Sequence, residues 1–425
     1  MAFVHLTRMS QASGDIALLA CALFLQRFSF TFGHSWMSLD VVPAVFILVH
    51  QFLSGRLLIQ YDRLLCFLVL GLAVTCSLLL NFNASMLPSY CLFIVMYFLF
   101  ALRRPSTAQR YKSILLAFQF LAAIFSCLAV AQFAAQSVVN GRDLISFYGI
   151  FPEFLLTNYY NTIIPLTDGS SLIKSNGIFL LEPSTLSQTM ALGILIEVLE
   201  FRRPRYLLVL ALGLLFAYSG TGLMILLLFL PFAGLPHRKA ALSILLVVIF
   251  VVGLLAAGII DPSIFLSRVG EFEDTRTSGF QRFIAPFWMT VEHFDKASLS
   301  VLLLGSGPGT TAAFSANFWY SGNLTGAWIK MLYEYGLIGS VVFICFLASC
   351  FKASRCPGVL LAAILYSYVF LGGQILSTPF LIMMIVLCTL SGSEPRRGRI
   401  DTARFRFTSS ANHLALQGGG INRAR

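Results

Sequence analysis

The chain has 425 residues, 58% of them apolar and only 11% charged, with a formal net charge of +11. Soluble domains run near 45–50% apolar with about 25% charged residues, so these proportions exclude a soluble fold. Repeated apolar runs of roughly helix-spanning length, instead of alternating strands of about ten residues, exclude a transmembrane barrel.

The expected class is all-α: a polytopic transmembrane helical bundle with about twelve spans. In chain order these lie near 16–32, 39–53, 64–82, 86–102, 113–135, 185–200, 206–219, 222–235, 240–260, 324–350, 357–376 and 379–391. The first apolar run carries Arg27 and no small-residue cleavage site, so it is expected to be a span and not a removable signal. Several runs fall short of the roughly 20 residues of a straight span. The pair flanking Ser219, Gly220 and Thr221 is notably short, and reads as two spans or as one bent element. The nine cysteines all lie inside or beside apolar runs, where cysteine behaves as a small buried hydrophobe. No Cys/His spacing suggests a metal site.

Lys and Arg mark the cytoplasmic loops of membrane proteins. With the N-terminus inside, Arg8, Arg56, Arg63, Arg103, Arg104, Arg110, Lys112, Arg202, Arg203, Arg205, Arg238, Lys239, Lys352 and Arg355 all fall on the cytoplasmic side. The excess charge is then a topology signal, and no nucleic-acid partner is implied. The expected organisation is one transmembrane domain over residues 1–390, with extracytoplasmic loops at about 136–184 and 261–323. A basic tail over 391–425 is expected to be disordered, cytoplasmic and close to anionic lipid. Among ionisable residues in the spans, Asp40, Glu197 and Glu200 sit near span ends, where snorkelling or interface hydration would suffice. That pattern argues against a transporter with charges at mid-membrane, which remains the alternative from another class.

The two long loops hold six of the 29 Lys and Arg residues: Arg142, Lys174, Arg268, Arg276, Arg282 and Lys296. The first loop leaves through Lys174-Ser-Asn176-Gly177 and Glu182-Pro-Ser184. Pro183 fits the first turn of a helix, Ser184 or Thr185 fits its cap, and the free N–H groups of such a helix start suit phosphate oxygens. A capping role for Glu182 itself is the other reading. In the second loop, Arg282 leads into Phe283, Phe287, Trp288, Val291 and Phe294 at helical spacing, an amphipathic helix expected at the outer interface. Arg282 would stand at headgroup depth, where its planar fork suits a lipid diphosphate.

Next comes Leu304-Gly305-Ser-Gly307-Pro-Gly309, which lacks the Lys-Ser/Thr of a nucleotide loop. Its glycines are expected to bring backbone close to a ligand. Lys330 and Glu334 then stand four apart on one helical face, the spacing of a structural ion pair. Access of Lys330 to substrate phosphate is the competing reading.

A cation before Asn-Gly-x-Phe-x-x-Glu-Pro-Ser, an arginine opening an outer-face helix, Leu-Gly-x-Gly-x-Gly after it, and Glu334-x-Gly336-x-x-Gly339 in the next span together resemble the O-antigen polymerase and ligase superfamily, which includes Wzy-type exopolysaccharide polymerases. The likeness covers residues 170–345 by motif. It implies a metal-independent, lipid-carrier-dependent glycosyltransferase of the bacterial inner membrane, with both termini cytoplasmic and the active site facing the periplasm. The substrate would be an undecaprenyl-diphosphate-linked oligosaccharide, with membrane lipid, a chain-length regulator and export proteins as further partners and no cofactor.

By that resemblance Lys174 and Arg282 hold the leaving diphosphate. Glu182 is the first choice of general base, followed by Glu271 and Glu292. Asn176, Gly177, Arg276, Trp288, Gly305, Gly307, Gly309 and Lys330 are the candidate substrate-binding positions, and no metal site is expected. Ligases of the superfamily carry a histidine where Thr325 stands here, and the nearest loop histidine is His293. A repeat-unit polymerase is therefore favoured over a ligase or a polysaccharide-lipid flippase.

Overall fold

The computed structural model describes residues 2–32, 35–147, 150–157, 162–167, 169–233, 273–275, 277–318, 326–371 and 375–392. The span expected at 240–260, the tail beyond 392, and Arg268, Glu271 and Arg276 lie outside the described residues. Met1–Gly392 form one unit.

The described chain is mostly helical. In order come α1 (Ala2–Phe24), the hairpin β1 (Ser29–Phe32) and β2 (Ser35–Ser38), α2 (Val41–Leu53), β3 (Leu58–Ile59), α3 (Tyr61–Leu80), α4 (Leu87–Ala101), β4 (Leu102–Pro105) and α5 (Ala108–Ala135). Then follow α6 (Gly141–Ile145), α7 (Pro183–Ile196), α8 (Pro204–Phe216), α9 (Gly220–Phe229), α10 (Ser278–Phe283), α11 (Ala285–Lys296), α12 (Leu299–Leu304) and α13 (Thr311–Ser315). The last elements are α14 (Ala327–Phe351), α15 (Gly358–Phe370), α16 (Thr378–Cys388) and β5 (Leu390–Ser391).

Among the described residues, four helices are long and apolar enough to cross a membrane: Tyr61–Leu80, Ala84–Ala101, Ala108–Ala135 and Ala327–Phe351. Six further apolar helices are shorter, including Val41–Leu53, Pro204–Phe216 and Thr378–Cys388.

Two expectations are corrected. The class is not strictly all-α, because a two-stranded hairpin and a three-stranded sheet in the order β3-β4-β5 are present. The first helix stops at Phe24 instead of continuing to 32, since Ser29-Phe-Thr-Phe pairs antiparallel with Ser35-Trp-Met-Ser. The residues around Ser219 resolve into two helices: Tyr218 adopts a left-handed φ of 44°, which breaks α8 from α9.

Helix α7 lies at the centre and is buried almost all round. Lipid offers little drive for apolar side chains to leave it, so such helices associate by close approach and shared hydrogen bonds. Gly222 meets the Ser187 carbonyl of α7 directly, and its N–H donates to Ser187 Oγ at 2.9 Å. Gln119 Nε2 of α5 donates to the Gly193 carbonyl of α7 at 2.6 Å.

One end of the bundle is basic and sheet-bound. Asp15, fully buried, accepts from Arg104 at 2.8 Å and Arg110 at 2.6 Å. Arg355 Nε donates to the Ser106 carbonyl at 2.7 Å, tying the last helical hairpin to β4. Glu197 is also fully buried, held by Arg203 Nη2 at 2.9 Å and Nε at 3.0 Å. Snorkelling is therefore not its explanation; a paired counter-ion is. Asp40 is likewise fully buried, accepting from Thr378 Oγ1 at 2.7 Å.

The opposite end gathers the β1–β2 hairpin, the 136–182 segment and the 277–318 segment. Phe28 bridges to Leu156, and Asn81 Nδ2 donates to the Gly305 carbonyl at 3.0 Å. All nine cysteines are free thiols.

Candidate active site

The exit of the first loop is fastened beneath the C-terminal half of α5. Gln136 exchanges two hydrogen bonds with the Ile173 backbone, and Ser175 Oγ donates to the Ala129 carbonyl at 2.9 Å. Gln132 Oε1 accepts from the Asn176 and Gly177 amides at 3.2 and 3.0 Å, while its Nε2 donates to Asn176 Oδ1 at 3.2 Å. Asn176 also accepts from the Ile178 amide and donates to the Leu180 carbonyl. Its amide is thus committed to shaping the turn.

Gly177 has φ 68° and Ile178 φ 69°. A β-branched residue there is strained and persists only where its surroundings hold it. Arg27 supplies one restraint, donating to the Ile178 carbonyl at 2.8 Å while stacking on Phe147.

This strained turn delivers Glu182 to the start of α7, with Pro183 in the first helical turn. Glu182, and neither Ser184 nor Thr185, occupies the cap position, yet its side chain caps no backbone N–H. Instead Glu182 Oε2 accepts from Ser184 Oγ at 2.7 Å and from Arg282 Nη2 at 3.1 Å. Both partners are buried, at 7% and 9% exposure. Glu182 Oε1 takes no hydrogen bond among the described residues, and Arg282 Nε is buried without a partner. Two residues singled out from separate loops are therefore in direct contact.

Arg282 lies in α10, whose start is capped by Thr277. A break at Ile284 and Pro286 turns the chain into α11. As expected, Phe287, Trp288, Val291 and Phe294 are exposed on one face of α11, while Met289 and His293 face inward. The Trp288 ring meets Phe280 edge-on. His293 packs edge-on against Tyr333 and Phe314, and burial pushes its pKa below the usual imidazole value.

The glycine run meets protein. A Cβ at Gly305 would overlap the Glu334 carbonyl, one at Gly307 the Met86 thioether and one at Gly309 the Ser89 hydroxyl. Helix α14 is interrupted at Gly336, which has φ 67° and ψ −171°. The carbonyls released by that kink are recaptured: Ser306 N donates to the Tyr333 carbonyl at 2.8 Å, and Gly307 N to the Glu334 carbonyl at 3.0 Å. Ser77 Oγ adds a third bond, to the Glu334 carbonyl at 2.6 Å.

Lys174 is buried on a neighbouring part of the first loop, its amide donating to the Ile164 carbonyl at 2.9 Å. The spacing-based ion pair between Lys330 and Glu334 does not form. Glu334 Oε1 instead accepts from Thr311 Oγ1 at 2.7 Å and the Thr311 amide at 3.3 Å. Lys330 lines a cavity of about 370 Å³ together with Glu334, Gln26, Ser38, Ser89 and Thr378. Leu181, the neighbour of Glu182, forms part of its wall. The hydroxyls and Gln26 escaped sequence reasoning, since a lone Ser or Gln in an apolar run carries no local signal. Among the described residues, no cluster of three or more His, Cys, Asp or Glu residues could hold a metal ion.

A helical chain with several helices of membrane-spanning length and apolarity, together with shorter apolar helices packed among them, defines a multi-pass membrane protein. More particularly, the chain belongs to the WcaD colanic acid polymerase family, whose model matches residues 16–392. A search of curated proteins returns no match. The family is one of Wzy-type exopolysaccharide polymerases, in agreement with the resemblance read from the motifs, and its activity is repeat-unit polymerisation.

Proposed function

We propose that this polymerase moves a glycan from an undecaprenyl diphosphate carrier to an acceptor hydroxyl on a second lipid-linked repeat unit, without a metal ion. In this reading Arg282 neutralises the departing diphosphate and Glu182 takes the proton from the attacking hydroxyl. The acceptor oxygen bonds to the anomeric carbon, the bond from that carbon to the diphosphate oxygen breaks, and the carrier leaves as a diphosphate. Lys174 is the second cation near the leaving group, while Asn176 and Gly177 shape the loop that presents Glu182.

The observation that carries the reading is the buried Glu182–Arg282 contact, with Arg282 Nε buried and unpartnered among the described residues. Cations aimed at a developing negative charge act most strongly away from water. The basic end of the bundle supports a cytoplasmic placement for both termini, with the site at the periplasmic face. The exposed aromatic face of α11 suits the lipid interface there.

The test uses purified protein in lipid vesicles supplied with lipid-linked repeat units. Wild type should give a ladder of products. Arg282→Ala should insert normally yet leave single units, and a normal ladder from that variant would refute the site. Transfer of single units from the carrier to a different lipid acceptor without a ladder would point to a ligase, and movement of substrate with no new glycosidic bond to a flippase.

A further inference from the structure

Three of the buried carboxylates in this protein hold arginine partners. Asp15 holds Arg104 and Arg110, Glu197 holds Arg203, and Glu182 holds Arg282. Lys330 departs from that pattern. Its helical neighbour Glu334 is taken by the Thr311 hydroxyl and amide, and among the described residues the Lys330 ammonium forms no ion pair or hydrogen bond. It stands instead in the wall of the 370 Å³ cavity.

The rest of that wall has the character of a sugar site. Ser38, Ser89, Ser377 and Thr378 bring hydroxyls, while Pro88 and Leu92 bring apolar surface for a ring face. Thr378 is itself anchored to Asp40 at 2.7 Å. Pockets for small polar ligands combine such apolar walls with a few placed polar groups. An unpaired, partly desolvated ammonium is costly unless a counter-charge arrives.

We propose that Lys330 supplies the charge selectivity of an acceptor subsite in this cavity, binding an anionic oxygen group of the acceptor. That group is either an acidic substituent on the acceptor sugar or the diphosphate of the acceptor's own carrier. The inference rests on the polymerase reading for its substrate, but assigns Lys330 to the acceptor, separate from the donor diphosphate at Arg282. Glu334, held by Thr311, lends Lys330 a favourable charge across the cavity without a direct ion pair.

The experiment measures acceptor kinetics in vesicles with lipid-linked donor held saturating. Three acceptors are compared: a soluble one-repeat fragment with its acidic groups, the same fragment after carboxyl reduction, and the intact diphosphate-linked unit. Lys330→Met should raise KM about tenfold or more for an anionic acceptor, the loss expected for a charge-assisted contact made equally in ground and transition states. Lys330→Arg should recover most of that loss.

A loss on the acidic fragment but not on its reduced form assigns the sugar substituent. A loss confined to the diphosphate-linked acceptor assigns the carrier. Unchanged KM for every acceptor, or an equal rise on the uncharged fragment, overturns the proposal. Lys330→Gln serves as a second neutral variant should the methionine fail to insert. Arg282→Ala, run in parallel, tests the donor site by itself: a normal ladder there defeats the polymerase site while leaving any acceptor-specific effect at Lys330 standing.

Discussion

Gly305 and Gly336 lie at one backbone-to-backbone contact, where a Cβ on Gly336 would stand 2.6 Å from the Gly305 amide nitrogen. A Cβ on Gly305 would overlap the Glu334 carbonyl, and one on Gly336 the Leu303 carbonyl. Both have positive φ, 83° and 67°. Two glycine motifs about thirty residues apart are thus the halves of one joint: the kink in α14 frees two carbonyls, and the segment after α12 supplies the N–H groups that satisfy them.

Either glycine changed to alanine should therefore destabilise the protein. Positive φ with ψ near 180°, as at both positions, is essentially glycine's alone and costs another residue about 1–3 kcal/mol, and the overlap adds to it because the obstructing atoms are backbone. Thermal unfolding in detergent should show clear drops for Gly305→Ala and Gly336→Ala. Gly220→Ala is the control: it has no atom within 4 Å of the added Cβ and should unfold like wild type.

The Glu182–Arg282 pair spans two loops and is buried, so removing one partner leaves the other uncompensated. Such a loss typically costs about 3–5 kcal/mol. Glu182→Gln keeps the shape and the hydrogen-bonding capacity but loses the carboxylate. It should insert and still bind lipid-linked units, while turnover falls by about 10²–10⁴-fold, as expected when a general base is lost. Binding measured by retention of the labelled unit, alongside ladder formation, separates the two effects. Normal turnover in Glu182→Gln would remove Glu182 as base.

How much of this was legible depended on how local each signal was. Most apolar runs and the amphipathic stretch Phe287–Phe294 are written in composition and periodicity, so among the described residues helices occupy most of them, although the first stops short at Phe24. The β1–β2 hairpin was hidden because its alternation of Ser, Phe and Thr sits inside an apolar run that also suits a helix. Glu182 and Arg282 stood out singly, but nothing in either loop announces that they touch. The glycine run was recognisable as special backbone, but its sequence did not show that α14 is what approaches Gly305 while Gly309 lines the cavity beside Lys330. Lys330 and Glu334 show the limit most clearly. Their spacing is that of an ion pair, yet Thr311, brought in from another loop, takes the carboxylate.

His293 offers a test in pH. Its folded-state pKa lies below the ordinary imidazole value of 6.5 because burial disfavours the charged ring. The unfolded chain then binds the proton more readily, so the stability contributed by the neutral ring is full above about 6.5 and falls as pH drops toward the folded value. Thermal unfolding between pH 7.5 and about 5 should show this fall. His293→Phe should flatten that part of the curve, and an unchanged slope would assign it to other groups.

Lys174 provides the last test, because two physical roles predict opposite orders of tolerance. Its side chain is buried at 8% exposure, on a segment where Pro165 bridges to Ile173 and the Lys174 amide reaches the Ile164 carbonyl. If the ammonium assists the leaving diphosphate, charge is what matters. Lys174→Arg should then keep most of the polymerase activity, since a guanidinium forks onto two phosphate oxygens, while Lys174→Ala and Lys174→Met should both lose it. If the aliphatic stem is what matters, packing the loop against its neighbours, Lys174→Met should be the best tolerated and Lys174→Arg should suffer from its bulk. Ladder formation by the three variants, normalised to inserted protein, separates the two. An order of arginine above methionine places Lys174 with Arg282 at the departing diphosphate, and the reverse order makes it part of the scaffold beneath Glu182.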